Sequence, residues 1–157
     1  MKKKGLFMML VAMFVAFISC SNVSAWELDR NNANKVIEYN VQGTTSIPIN
    51  GPSDKKIKYI AIDVNRSKGT YDVQLQYGGK HASETISTFD RSGYVYFINQ
   101  NMSCPSDRMS CVKVSYAMPG TNYDYISQNA SQTSIVFNKK NWIGSLELSV
   151  KIYVYYL

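Results

Sequence analysis

The residues able to carry acid–base or nucleophilic chemistry are few. His81 is the only histidine, it follows Gly78-Gly79-Lys80, and no nucleophile motif accompanies it. A Ser/His/Asp or Cys/His arrangement would have to use that one imidazole. Glu84 and Asp90 could form the carboxylate pair that glycoside hydrolysis needs, but acids scattered on strand surfaces are ordinarily solvated. The cysteines are Cys20, Cys104 and Cys111, and the gap between the last two is not a usual zinc spacing. This inventory argues against an enzyme, and neither a metal nor a cofactor is expected.

The chain start sets the compartment. Lys2, Lys3 and Lys4 precede an uncharged apolar run from Gly5 to Ile18, and Val23-Ser24-Ala25 then supplies small residues. That is the order of a secretory signal, so residues 1–25 are read as a signal peptide cleaved before Trp26. The apolar run is shorter than the ~20 residues a spanning helix needs. Phe17-Ile18-Ser19-Cys20 offers a competing reading as a loose lipobox, with Cys20 lipidated. Of 17 Lys and Arg, the three lysines leave with the signal, so 14 face 11 acids and the mature charge is +3. The surviving cations are scattered, the densest being Lys55-Lys56-Ile57-Lys58, which is no footprint for nucleic acid. Once Cys20 is removed, Cys104 and Cys111 remain as a pair in an oxidising compartment, and a structural disulfide is expected. Asn65-Arg66-Ser67, Asn101-Met102-Ser103 and Asn129-Ala130-Ser131 are glycosylation sequons only in a eukaryotic host.

The elements that carry these residues read as strands. Period-2 alternation recurs, and no stretch of helical length shows apolar spacing of three and four. Strands are predicted over Val36 to Ile49, Lys58 to Val64, Tyr71 to Tyr77, Tyr94 to Ile98, Cys111 to Ala117, Thr133 to Asn138 and Ser145 to Leu157. Turn signals separate them, among them Asn50-Gly51-Pro52-Ser53-Asp54, Ser67-Lys68-Gly69, Gly78-Gly79, Arg91-Ser92-Gly93 and Pro119-Gly120-Thr121-Asn122. Seven short strands in about 130 residues suggest one all-β domain, an immunoglobulin-like β-sandwich. The 12 tyrosines suit half-buried sheet positions, from which aromatic rings can also stack on sugars.

Two segments stand out. At the C-terminus Leu146, Leu148, Val150, Ile152, Val154 and Tyr156 alternate with Glu147, Ser149, Lys151, Tyr153 and Tyr155, up to the final Leu157. Near the mature N-terminus Ile37, Tyr39, Val41, Gly43, Thr45, Ile47 and Ile49 alternate with a polar set.

With Tyr156 next to last and Gly144 fourteenth from the end, the chain resembles the pilus subunits of the chaperone/usher pathway, as a divergent branch. The alternating stretch around Tyr39-Asn40-Val41-Gln42-Gly43 resembles that family's N-terminal extension. The resemblance implies a sandwich lacking its last strand and completed by a donor strand from a chaperone or the next subunit. Residues 26–46 would be the donor extension, with Ile37, Tyr39, Val41, Gly43 and Thr45 entering the groove, and residues 47–157 the domain. Gly144, Leu146, Leu148, Val150, Ile152, Val154, Tyr156 and Leu157 would form the groove strand. Four or five buried apolar side chains at ~1.5–3 kcal/mol each would contribute about 6 to 15 kcal/mol before ordering costs. The function implied is a structural fimbrial subunit exported through the periplasm to the cell surface. Its implied partners are a periplasmic chaperone, an outer-membrane usher, and copies of itself or other pilins. A host glycan or protein receptor stays open. The family's usual disulfide between the first two strands has no counterpart here. The alternative is a complete β-sandwich, secreted or lipid-anchored, in which both segments are ordinary strands and the protein is a binding module.

Overall fold

The computed structural model describes residues 29–77, 80–82, 88–114 and 124–157. The signal peptide, its cleavage site, Cys20, Glu84, the Gly78-Gly79 and Pro119-to-Asn122 turns and the end of the strand expected to reach Ala117 lie outside the described residues.

Nine strands appear among them: β1 Lys35–Gln42, β2 Thr45–Pro48, β3 Ile57–Lys68, β4 Tyr71–Tyr77, β5 Lys80–Ala82, β6 Gly93–Ile98, β7 Arg108–Lys113, β8 Thr133–Lys139 and β9 Glu147–Tyr156. Among the described residues helix is confined to two short 3₁₀ turns, Arg30–Asn32 and Ala130–Gln132. Each turn is capped by the side chain just before it, Asp29 and Asn129, accepting from the backbone N–H two residues on.

The strands form two sheets, β1-β9-β3-β6-β7 and β2-β8-β4-β5. Alternation buries one side chain in two: Ile60, Ile62 and Val64 of β3 meet Val73 and Leu75 of β4, Ile135 and Phe137 of β8, and Leu148, Val150, Ile152 and Val154 of β9 in one core. The all-β sandwich expectation therefore holds at that level. Strand order departs from the immunoglobulin arrangement, where A lies beside B and D beside E. Here the pairs nest from the chain ends inward, β1 with β9, β2 with β8, β3 with β6 and β4 with β5. That nesting is the strand order of a jelly roll, with β7 added parallel to β6 at one edge.

The stretch expected as one strand, Val36 to Ile49, is two. β1 pairs with β9 and β2 with β8, so the chain changes sheet at Gly43-Thr44, and the expected boundary between residues 46 and 47 falls inside β2. Gly43 allows this with φ +70°, a left-handed conformation that costs other L-residues roughly 1–2 kcal/mol. Two further sheet-to-sheet arches gather at the same end. β3 passes to β4 through Gly69, and β8 to β9 through Lys140 to Leu146.

β7 is reached from β6 by residues 99–107, a short link for parallel strands. The expected disulfide is present: Cys104 joins Cys111, Cα to Cα 5.9 Å, tying that link to the strand it feeds. It closes a loop of six residues, Pro105 to Ser110. Reduction is expected to lower stability by about 2–3 kcal/mol in chemical denaturation, the loop-entropy value for so short a ring. An unchanged midpoint would show that the link is held by its other contacts alone.

Candidate interaction surface

The two segments singled out in the sequence lie side by side in one molecule. β1 runs antiparallel to β9 from Lys35 opposite Val154 to Gln42 opposite Glu147. The contact continues past both ends of β1, where the Asn34 N–H donates to the Val154 carbonyl and the Gly43 N–H to the Leu146 carbonyl. β3 flanks the other side of β9, so β9 is an interior strand.

Of the residues read as a donor strand, Val41 is fully buried, Ile37 is half-buried against the core and Tyr39 is exposed. Gly43 sits at the sheet change and half-buried Thr45 belongs to β2. Of those read as the groove strand, Leu146, Leu148, Val150, Ile152 and Val154 are buried, Tyr156 packs partly buried beside them and Leu157 is exposed. Gly144 precedes the strand on the arch, with φ +92°.

A second apolar layer was not foreseen. Tyr153 and Tyr155, on the opposite face of β9 from Val150 and Ile152, are buried on the outer face of the five-stranded sheet with Ala61, Tyr96 and Ile98. Their covers are Ala33 of the N-terminal segment and Met102 and Cys104 of the β6–β7 link. Tyr59 stacks on Tyr155 at 4.1 Å, and the Arg30 guanidinium lies 4.2 Å over the Tyr94 ring. The Tyr96 hydroxyl donates to Asp107 at 2.8 Å, and the Tyr155 hydroxyl to the Asp29 carbonyl at 3.2 Å. No periodicity could have announced these covers, because both are irregular segments.

Burial pushes the Tyr155 phenol up to about 12, with nearby Asp29 adding to the effect. Tyr71, beneath Phe89 and Phe137 in the main core, is pushed by burial to about 12 as well. Tyr59 and Tyr96 are also raised, chiefly by burial. A folded-state value above the unfolded ~10 means the fold binds protons the unfolded chain has lost. That stability is fully present below pH ~10 and is lost as pH rises toward about 12. Circular dichroism and tyrosinate absorbance in an alkaline titration should therefore show these phenols ionising together with cooperative unfolding. Full ionisation near pH 10 with the fold intact would contradict this burial.

Farther along the same face the sheet is polar. Lys151 pairs with Glu38 at 2.7 Å, and that ammonium holds the Glu38 carboxyl below its usual value. Asp63 faces Lys151 across the sheet, and Asn40 and Asn65 flank Ser149 in the next row. Glu38, Asp63, Asn65, Ser149, Val150 and Lys151 line an open depression there. Among the described residues no group of His, Cys, Asp and Glu could hold a metal ion, and no helix is long and apolar enough to cross a membrane.

Two large apolar side chains stand apart from every layer. Trp142 is 91% exposed and Ile143 68%, adjacent to each other on the arch between β8 and β9. Nothing in the alternation drew attention to them.

No family model matches this chain, and neither a curated protein nor a solved structure does.

Proposed function

We propose that the mature chain is an exported binding module, a β-sandwich complete in itself that acts by surface contact and not by catalysis. The observation that carries this reading is the interior position of β9, flanked along its length by β1 and β3 of the same chain. With both its flanks paired, β9 has no open side for a strand from outside to fill. Export rests on the Lys-rich, apolar start and on the Cys104–Cys111 bridge, which suits an oxidising compartment. A glycan or protein receptor is the ligand class this module would take.

One observation favours the fimbrial reading as a second. β1 is an edge strand joined to the rest through Gly43, around which a side chain would meet nothing within 4 Å. Such a strand could leave its own sheet and pair with β9 of another copy, keeping every hydrogen bond. The subunit would then polymerise at the surface by strand exchange, with a chaperone and an usher as its assembly partners.

Size-exclusion chromatography with light scattering and thermal melts separate the two. The complete module is expected to be a monomer that melts cooperatively, ignores an added peptide spanning residues 35–47 and unfolds when residues 26–43 are deleted. Concentration-dependent multimers, or a deleted chain that folds only with that peptide, would overturn the first reading in favour of the second.

A further inference from the structure

We infer that the β8–β9 arch is a membrane-interface anchor, placing Trp142 and Ile143 among the headgroups of a bilayer that contains anionic lipid. This stands independently of which functional reading holds.

The arch separates its apolar residues sharply. Leu146 is 1% exposed and plugs the core, whereas Trp142 and Ile143, a few residues earlier, are almost wholly in water. A tip that loose packing had merely left exposed would have a loose base, and this base is braced. The Lys140 N–H donates to the Thr70 carbonyl at 2.9 Å, and the Lys139 N–H to Thr44 Oγ1 at 3.1 Å. Lys140 Nζ reaches Asp72 Oδ2 at 2.7 Å, and the fully buried Asp72 also accepts from Asn138 at 2.7 Å. Gly69 of the neighbouring arch packs so closely beneath that an added Cβ would lie 2.6 Å from the Ser145 carbonyl. The fold therefore holds the Trp-Ile pair out on fixed supports.

The shape and charge of that end choose the occupant. Small ligands need a concave, mostly apolar site, and the nearby depression is lined by Gln42, Gly43, Lys139, Ser145, Leu146 and Glu147, without the Trp-Ile pair. A protein partner needs roughly 800 Å² of matching surface, whereas beside these two side chains lie exposed Asn141 and Ser145. A bilayer needs no matching shape, and the Trp ring, apolar with one N–H, favours the headgroup level. Lys139 and Lys140 lead into the tip, Lys68 lies opposite Glu147 where β9 begins, and Arg66 donates to the Gly69 carbonyl of the neighbouring arch, while Asp72 is engaged by Lys140. The excess of cations complements anionic headgroups.

The chain has two tryptophans, so a Trp26→Phe background makes Trp142 the sole reporter. Vesicles of equal parts phosphatidylethanolamine and phosphatidylglycerol should blue-shift its emission and shield it from an aqueous quencher. Pure phosphatidylcholine vesicles should do so weakly. In co-sedimentation, Trp142→Ala with Ile143→Ser should lower partitioning roughly tenfold with an unchanged melting temperature, and Lys68→Gln about fivefold. The proposal is overturned if Trp142 emission ignores both vesicles or if the double variant sediments like the parent. A shift that follows protein concentration or an added soluble polysaccharide without lipid would equally overturn it, assigning the tip to another copy or to sugar.

Discussion

Replacing Val41 by Asp is expected to cost the isolated chain about 4 kcal/mol or more, a large share of the ~5–15 kcal/mol by which a domain is ordinarily stable. Val41 is 1% exposed and belongs to the core cluster, opposite Leu148 of β9. A carboxylate there would lose its water with no cation to replace it, because the residues of that cluster are apolar. Exposed Tyr39, two residues earlier on the same strand, provides the control: Tyr39→Asp should cost under about 1 kcal/mol. Urea midpoints of the two variants check the contrast. If Val41→Asp melted like the parent, β1 would not be packed in the isolated chain, and the segment would be available to act elsewhere.

The second large effect is expected at Gly69. Its φ of +89° is strained for any side chain, and a Cβ would press into backbone, 2.6 Å from the Ser145 carbonyl and 2.9 Å from Leu146 Cα. Backbone at both contacts cannot yield as a side chain tip can, so Gly69→Val should destabilise by about 3–5 kcal/mol through strain and overpacking together. Gly43→Ala separates the two causes, because Gly43 shares the positive φ but has nothing within 4 Å of an added Cβ. It should cost only about 1–2 kcal/mol. Equal losses at the two glycines would mean that the arches do not abut as described.

What could be read in advance was which way side chains face. Alternation located the buried Leu146, Leu148, Val150, Ile152 and Val154, and likewise Val41, Ile47 and Ile49. Periodicity assigns a face and says nothing about which strand is the neighbour. Seven strands at such spacings suit an immunoglobulin order as well as the nested order found, so the choice between them was out of reach. The break at Gly43 was hidden for a related reason: Val41 of one sheet, Ile47 of the other and Ile49 just beyond it all enter one core, so the pattern runs unbroken through the crossing. Alternation put Tyr153 and Tyr155 on the face opposite Val150 and Ile152, where they are, but could not say that this face is covered as well. Here Ala33 and the disulfide-tied link lie on it. Trp142 carries no periodic signal at all, and its exposure follows from the bracing of the arch below it.

The central claim is that β1 completes the sheet of its own molecule, and a cysteine pair at Asn40 and Ser149 tests it most directly. These positions face each other across β1 and β9, and both are exposed on the outer face. With Asn40→Cys and Ser149→Cys introduced together and oxidised at low protein concentration, non-reducing mass analysis should find monomer carrying one new internal disulfide, with Cys104–Cys111 retained. Disulfide-linked dimers and longer ladders in place of that monomer would contradict the claim, since β1 would then be pairing with β9 of a different copy.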